Sequence, residues 1–228
     1  MRYRAVVLLS GGIDSTTCLA LAVERYGADN VLGVFVHYGQ KHDKEYESAT
    51  KVASYYGVAL IEHDMSSVFK LSDCSLLKGN KAIEHGSYHD QLEQTGGEGT
   101  VETYVPFRNG LFLSAAATIG ISVGAEVVMY GAHADDAAGR AYPDCTPEFE
   151  KAMHDAIYEG SGRTLHMETP LLNMTKAEVV ALGLKLDAPY KYTWSCYEGK
   201  DRPCGTCGTC IDRARAFELN GVKDPAID

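Results

Sequence analysis

Two stretches of the chain concentrate residues able to do chemistry. In VVLLSGGIDSTTCLALA, Val6 to Ala22, an apolar run stops at Ser10-Gly11-Gly12, and an apolar-patterned helix begins just after Asp14. Glycines let a backbone come close to a ligand, and a helix N-terminus offers unpaired N–H groups with a favourable dipole, so the turn suits phosphate. An ordinary strand-to-helix turn with Asp14 or Ser15 as N-cap accounts for the same residues. Neither G-x-G-x-x-G nor the lysine of G-x-x-x-x-G-K-[ST] is present. The second stretch holds Cys196, Cys204, Cys207 and Cys210 in the spacing C-x7-C-x2-C-x2-C. Four thiolates at this density suit tetrahedral zinc in a closed, structural site; an iron–sulfur cluster is the rival reading.

Other residues qualify by position. Arg108 and Asn109 precede a helix rich in small residues, where Arg108 either makes bidentate contact with phosphate or carboxylate or pairs at the helix start. In GAHADDAAGRAYPDC, Asp135 and Asp136 either hold Mg²⁺ or bond a purine-like edge, or else belong to a solvated turn. Asp144 is placed to accept from the amino-pyrimidine face of a base, and Cys145 reads as a buried structural thiol ahead of a nucleophile. Lys176 starts a helix, where it either neutralises phosphate charge or stays solvated. His37, Gln40, Lys41 and His42 follow the second strand, which favours a place for one or two of them near a nucleotide. His85, His89, His154 and His166 carry no pattern and are read as surface or core residues.

The elements that must position these groups alternate. Strands are expected at Ala5 to Leu9, Val31 to His37, Ala59 to His63, Val127 to Tyr130 and around Leu165 to Glu168. Helices are expected at about Ser15 to Tyr26, Lys41 to Tyr56, through NGLFLSAAATIGISVGA, at Glu148 to Tyr158, from Thr175 (in capping-box spacing with Glu178), and last to about Asn220. Such alternation predicts an α/β fold, a doubly wound parallel sheet with helices on both faces, whose ligands bind beyond the C-terminal strand ends. From Asp64 to about Tyr104 the pattern lapses, and a loop this long is expected to be functional or partly disordered. Residues 1–185 are expected to form the nucleotide-binding domain and 186–228 a helical segment carrying the cysteines.

At 228 residues with 45% hydrophobic content, one domain with a small appendage is the expectation. A net charge of −10 argues against a nonspecific grip on nucleic acid. No apolar run approaches the ~18 residues of a membrane span, and the N-terminus reads as a strand, so a cytoplasmic location is expected, with no membrane partner. Seven cysteines, four of them clustered, argue for metal over disulfides.

The S-G-G-x-D-S turn resembles the pyrophosphatase loop of enzymes that cleave ATP to AMP and pyrophosphate, GMP, asparagine and NAD synthetases among them. Further stretches occur in order: VHYGQKH, YVPFRNGLFLSAAA, GAHADDAAGRAYPDCTPEF, ETPLLNMTKAEV and the cysteine cluster. From Ala5 to about Glu218 the set resembles the 7-cyano-7-deazaguanine synthases of the queuosine precursor pathway. The resemblance implies an adenine nucleotide alpha-hydrolase-like fold, structural zinc, ATP as substrate with Mg²⁺, ammonia and a 7-deazaguanine acid as small-molecule substrates, and a homodimer. It implies nucleotide contacts from Leu8, Leu9, Ser10, Gly11, Gly12, Ile13, Asp14, Ser15, Thr16, Thr17 and Cys18, with His37 and Gln40. Asp14, Ser15, Arg108 and Lys176 are the implied catalytic residues, and Arg108, Asn109, Asp135, Asp136, Asp144 and Cys145 the implied substrate contacts. The chain departs from the family at Phe107, where glycine is common, and at Ala132, His133 and Ala134, which puts the pocket lining in question. A tRNA-modifying adenylase, a zinc-bearing nucleic-acid module and an enzyme adenylating a protein terminus remain as alternatives.

Overall fold

In the computed structural model, which describes residues 3–94 and 99–227, alternation produces the expected layers. In chain order the elements are β1 (Ala5–Leu8), α1 (Ile13–Tyr26), β2 (Val31–His37), α2 (Lys44–Tyr56), β3 (Ala59–Asp64), α3 (Tyr88–Gln94) and α4 (Arg108–Val123). There follow β4 (Val127–Met129), α5 (Ala134–Ala137), α6 (Pro147–Gly160), β5 (His166–Glu168), α7 (Lys176–Lys185) and α8 (Gly208–Leu219). The predicted elements appear with ends shifted by up to three residues. The largest shift is at α2, which starts at Lys44 rather than Lys41.

The sheet is fully parallel in the order β3-β2-β1-β4-β5. Strand order reverses at β1, so a crevice opens above the C-terminal ends of β1 and β4. Side-chain alternation sends Ala5, Val7 and Leu9 to a core shared with α1, α2, α7 and α8. Val6 and Leu8 face the opposite core, under α4 and α6. Tyr190 and Phe217, from the C-terminal segment, lie in the first of these cores, and the Tyr190 hydroxyl meets Thr17 Oγ1 at 2.8 Å. The C-terminal segment, through Tyr190, Ala216 and Phe217, therefore shares a core with β1 and α1.

The segment without periodicity does not stay loose. Phe69, Leu76, Leu77 and Ile83 build a third cluster together with Tyr38, Val105, Cys196, Cys207 and Cys210. The expected loop is thus a packed irregular layer over the cysteines, with α3 inside it. It lacks period because its apolar residues point at a knuckle rather than at a sheet face.

Candidate active site

A cleft of about 230 Å³ occupies the strand-order reversal. One of its walls is the turn at Ser10 to Ser15. Gly11 has φ +81°, and a Cβ there would stand 2.5 Å from Ala49 N and 2.6 Å from the Glu45 carbonyl, so only glycine lets α2 come this close. Gly12 is the N-cap of α1 and no side chain caps it, which leaves first-turn N–H groups facing the cleft. Ser10 and Ser15 hydroxyls are 3.1 Å apart, and Ser15 Oγ donates to the Gly12 carbonyl at 3.2 Å.

Asp14 turns toward α7. Lys176 Nζ donates to both of its carboxylate oxygens, at 2.8 and 2.6 Å, and His133 Nε2 lies 3.3 Å from the same ammonium and 3.3 Å from Asp136 Oδ2. Burial works against ionisation of Asp14, but Lys176 and His133 outweigh it and hold the carboxyl below its usual range. Burial likewise opposes the Lys176 charge, and Asp14 and Asp136 override it and raise its pKa. Asp136 has the reverse balance: burial pushes its carboxyl up despite His133 and Lys176.

The other end of the cleft is aromatic, with Tyr38, Tyr88, Phe112, Tyr142, Trp194 and Tyr197 around Arg108 and Glu45. The Arg108 guanidinium stacks over Tyr38 at 5.1 Å. Burial disfavours its charge, but Tyr38, Tyr197, Asp144 and Glu45 more than compensate and keep it firmly protonated. Tyr88 and Tyr197 share a hydroxyl contact at 3.0 Å, and Tyr142 is held by Thr103 at 2.6 Å. Burial pushes the Glu45 carboxyl up to about 7, with Arg108 pulling the other way.

The structure brings together Leu8, Leu9, Ser10, Gly12, Ile13, Asp14, Ser15, Arg108, Asn109, Asp136, Cys145 and Lys176. Others among the expected contacts lie off the cleft wall. Thr16, Thr17 and Cys18 sit on the second half-turn of α1, which faces the core; Thr17 Oγ1 donates to the Ile13 carbonyl at 2.8 Å, and Cys18 is fully buried. His37 turns to Glu62 on β3, 3.0 Å away. Gln40 folds back under β2, its Oε1 accepting from Tyr38 N at 2.9 Å. Asp135 Oδ2 accepts from Lys176 N at 2.8 Å and so fixes the start of α7. Asp144 Oδ2 accepts from Asn109 N at 2.9 Å, while its Oδ1 is buried without a partner. Asn109 Nδ2 in turn reaches Cys145 Sγ at 3.3 Å, and Tyr130 OH does so at 3.2 Å, which makes Cys145 part of a packed polar joint. The side chain of His89 lies outside the described residues.

Sequence reasoning missed Tyr38, Glu45, Tyr88, His133, Trp194, Tyr197 and Asp212, all on the cleft wall. Glu45 carried a faint signal, a carboxylate in the first helical turn after a strand end. The tyrosines carried none, since an aromatic in a helix or loop is core by default. Phe107, where the family commonly has glycine, adopts φ +53° at the N-cap of α4. Glycine suits that left-handed backbone, and here phenylalanine bears the strain with its ring 58% exposed, off the cleft wall.

The four cysteine sulfurs lie within 4.8 Å of one another. A zinc–thiolate tetrahedron with bonds of about 2.3 Å has sulfur–sulfur edges near 3.8 Å, so the set fits such an ion with small adjustment. The knuckle is tied to the phosphate-type turn directly. Trp194 N donates to the Gly11 carbonyl at 3.0 Å, and Trp194 Nε1 to the Cys196 carbonyl at 2.6 Å.

Residues 4–221 match the family model described as queuosine biosynthesis protein QueC. The chain belongs to that family. It is 44% identical over 225 residues to a protein of Archaeoglobus fulgidus named 7-cyano-7-deazaguanine synthase, covering 98% of this chain and 90% of the relative. A protein of the same name from Oceanobacillus iheyensis is 42% identical over 225 residues, covering 97% and 96%. Among solved structures, NMN synthetase from Francisella tularensis superposes with a TM-score of 0.53 at 15% identity, covering 97% of this chain and 79% of that one. That likeness bears on the fold alone. Within the QueC family the chain is an enzyme of queuosine biosynthesis, and none of its described helices is long and apolar enough to cross a membrane.

Proposed function

We propose that this QueC-family chain converts 7-carboxy-7-deazaguanine, ATP and ammonia into 7-cyano-7-deazaguanine. The observation that carries this reading is one continuous cleft with two unlike ends: an uncapped helix N-terminus beside Lys176, and an aromatic chamber holding Arg108. The first suits a polyphosphate and the second a flat bicycle bearing an anionic group.

A carboxylate is a poor electrophile because its oxygen leaves badly. In the proposed reaction that oxygen attacks the α-phosphorus of ATP, and pyrophosphate departs. Ammonia then adds to the acyl carbon; AMP leaves and one proton is lost, giving the amide. The amide oxygen attacks a second ATP in the same way, pyrophosphate departs, and loss of AMP together with both N–H protons leaves the nitrile. First-turn N–H groups of α1, Ser10, Ser15 and Lys176 are the donors for the departing phosphates, where preorganised charge lowers the barrier. Asp14 keeps Lys176 charged and aimed. Arg108 orients the substrate carboxylate. Mg²⁺ would be held by Asp136 together with phosphate oxygens, since it takes as few as one carboxylate, and would neutralise phosphate charge there. Zinc at Cys196, Cys204, Cys207 and Cys210 fits a structural role. Homodimerisation, implied by the resemblance, is checked by sedimentation, and a cytoplasmic location by fractionation.

Incubating zinc-loaded protein with the acid, ATP, Mg²⁺ and ammonium should yield amide and then nitrile by mass spectrometry, with AMP as the nucleotide product. No product from a zinc-replete, folded sample overturns the reading.

A further inference from the structure

The aromatic end of the cleft has one cation with donors to spare and one acceptor group that, among the described residues, no hydrogen bond satisfies. Arg108 offers five N–H donors, and within the chamber it engages only Tyr38, through its hydroxyl and by lying over its ring. Glu45, in the first turn of α2, faces the same chamber, and among the described residues no hydrogen bond fixes its carboxylate. The remaining polar groups of that end are occupied. Tyr88 pairs with Tyr197, Tyr142 with Thr103, and Asn109 with Asp144 and Cys145. Asp14, Asp136 and Asp212 belong to the opposite end, around Lys176.

The substrate of the proposed function has a matching order of groups around its rim. Its 7-carboxylate and 6-oxo oxygen are neighbouring acceptors. Its ring N1–H and 2-amino group are neighbouring donors on the next edge. A guanidinium satisfies the first pair, and a carboxylate, with two acceptor oxygens, satisfies the second. Asp144, which its residue type and position alone favour for the second task, is turned away to the Asn109 backbone and lies off the cleft wall.

We propose that Glu45 is the specificity-determining residue that reads the amino-pyrimidine edge, its two carboxylate oxygens accepting from the ring N–H and the exocyclic amine. The inference rests on the proposed function and names the group that restricts it to a 2-amino pyrimidinone ring. Burial already penalises the free carboxylate, as its raised pKa shows, so a ligand that brings two donors relieves a cost, and one lacking them leaves it in place.

The test compares kcat/KM for 7-carboxy-7-deazaguanine and its 2-deamino counterpart, 7-carboxy-7-deazahypoxanthine, in the wild type and in Glu45→Gln. The wild type should prefer the 2-amino acid by about 100-fold, because a site built to bond an N–H rejects the analogue without it. In E45Q the preference should fall to within about five-fold, chiefly through loss on the 2-amino acid. Should E45Q not fold, Glu45→Asp withdraws the carboxylate by one methylene and must lower the preference as well. A wild type without preference overturns the inference. So does a variant that slows both acids by the same factor, which is the signature of a proton-transfer role. A wild type that converts neither acid overturns the proposed function and this inference together, whereas a preference that survives in an active variant overturns this inference alone.

Discussion

The two ends of the cleft solve opposite electrostatic problems. At the phosphate-type end the charges are matched inside the protein: Lys176 is bonded to both oxygens of Asp14, and His133 bridges to Asp136. At the aromatic end Arg108 and Glu45 face one chamber with no hydrogen bond between them among the described residues, while Tyr88 pairs with Tyr197 and Tyr142 with Thr103. A prepaired cluster holds its geometry before a ligand arrives, which suits transition-state charge. An unpaired couple is satisfied only by a ligand with the right order of donors and acceptors, which suits discrimination. In the proposed function, power and selectivity therefore fall to different ends of one cavity.

The strongest way to break this contrast is to remove the zinc proposed for the four cysteines. Cys196 borders Trp194 and Tyr197 in sequence, and the knuckle packs under Tyr38, so chelation or Cys207→Ser should dismantle the aromatic end. We expect destabilisation of about 5 kcal/mol or more, a fall in Tm of about 10 °C or more, and a shift in emission of the single tryptophan, Trp194. An unchanged Tm after verified zinc loss contradicts a structural role. Next in size is Lys176→Met at the paired end. It leaves Asp14 with His133 alone, and turnover should drop by about a thousandfold while zinc content is retained. Activity within ten-fold of wild type would show that the pair only braces α1 against α7.

A smaller effect separates stability from function at Glu45. Its folded-state carboxyl lies near 7, above the ordinary 4.5. Between those values the folded protein keeps a proton that the unfolded chain has lost, so stability falls as pH rises through this window. Arg108 from α4 is the charged group that enters this balance, pulling against burial, and Glu45 in turn raises the pKa of the Tyr38 hydroxyl after β2. E45Q should therefore be more stable than wild type by about 2 kcal/mol at pH 8, with the difference vanishing near pH 4, in urea melts. The estimate is below the full shift because the side chain is only partly buried. Smallest of all is Phe107→Gly. Relief of the left-handed backbone and loss of the edge contact with Phe149, ring centroids 6.0 Å apart, should nearly cancel, leaving stability within about 1 kcal/mol and turnover within about two-fold. A tenfold loss would show the ring reaching the cleft.

The contrast between the ends also marks what could be read from the chain alone. Ser10 to Ser15 form a contiguous turn between a strand and a helix, and Cys196 to Cys210 a contiguous cysteine set, so both were legible as candidate sites from type and spacing. The sheet was legible because burial on both faces leaves unbroken apolar runs at β1 and β2. Over-reach occurred where helical periodicity rotates a motif away from its ligand, as at Thr16, Thr17 and Cys18, and where a strand-end residue takes a neighbouring strand as partner, as His37 does.

Sequence by itself determined the alternating α/β order, the phosphate-type turn, the cysteine knuckle and Lys176 as a candidate phosphate partner. Only the tertiary structure decided that Asp144 turns to the Asn109 backbone, that Glu45 faces the chamber, and that Phe69, Leu76, Leu77 and Ile83 close over the cysteines. The reason is range. Turns, caps and ligand knuckles are set by neighbours a few residues apart, whereas the aromatic end joins side chains from β2, α2, α3, α4 and the C-terminal segment, whose meeting depends on the packing of the whole sheet.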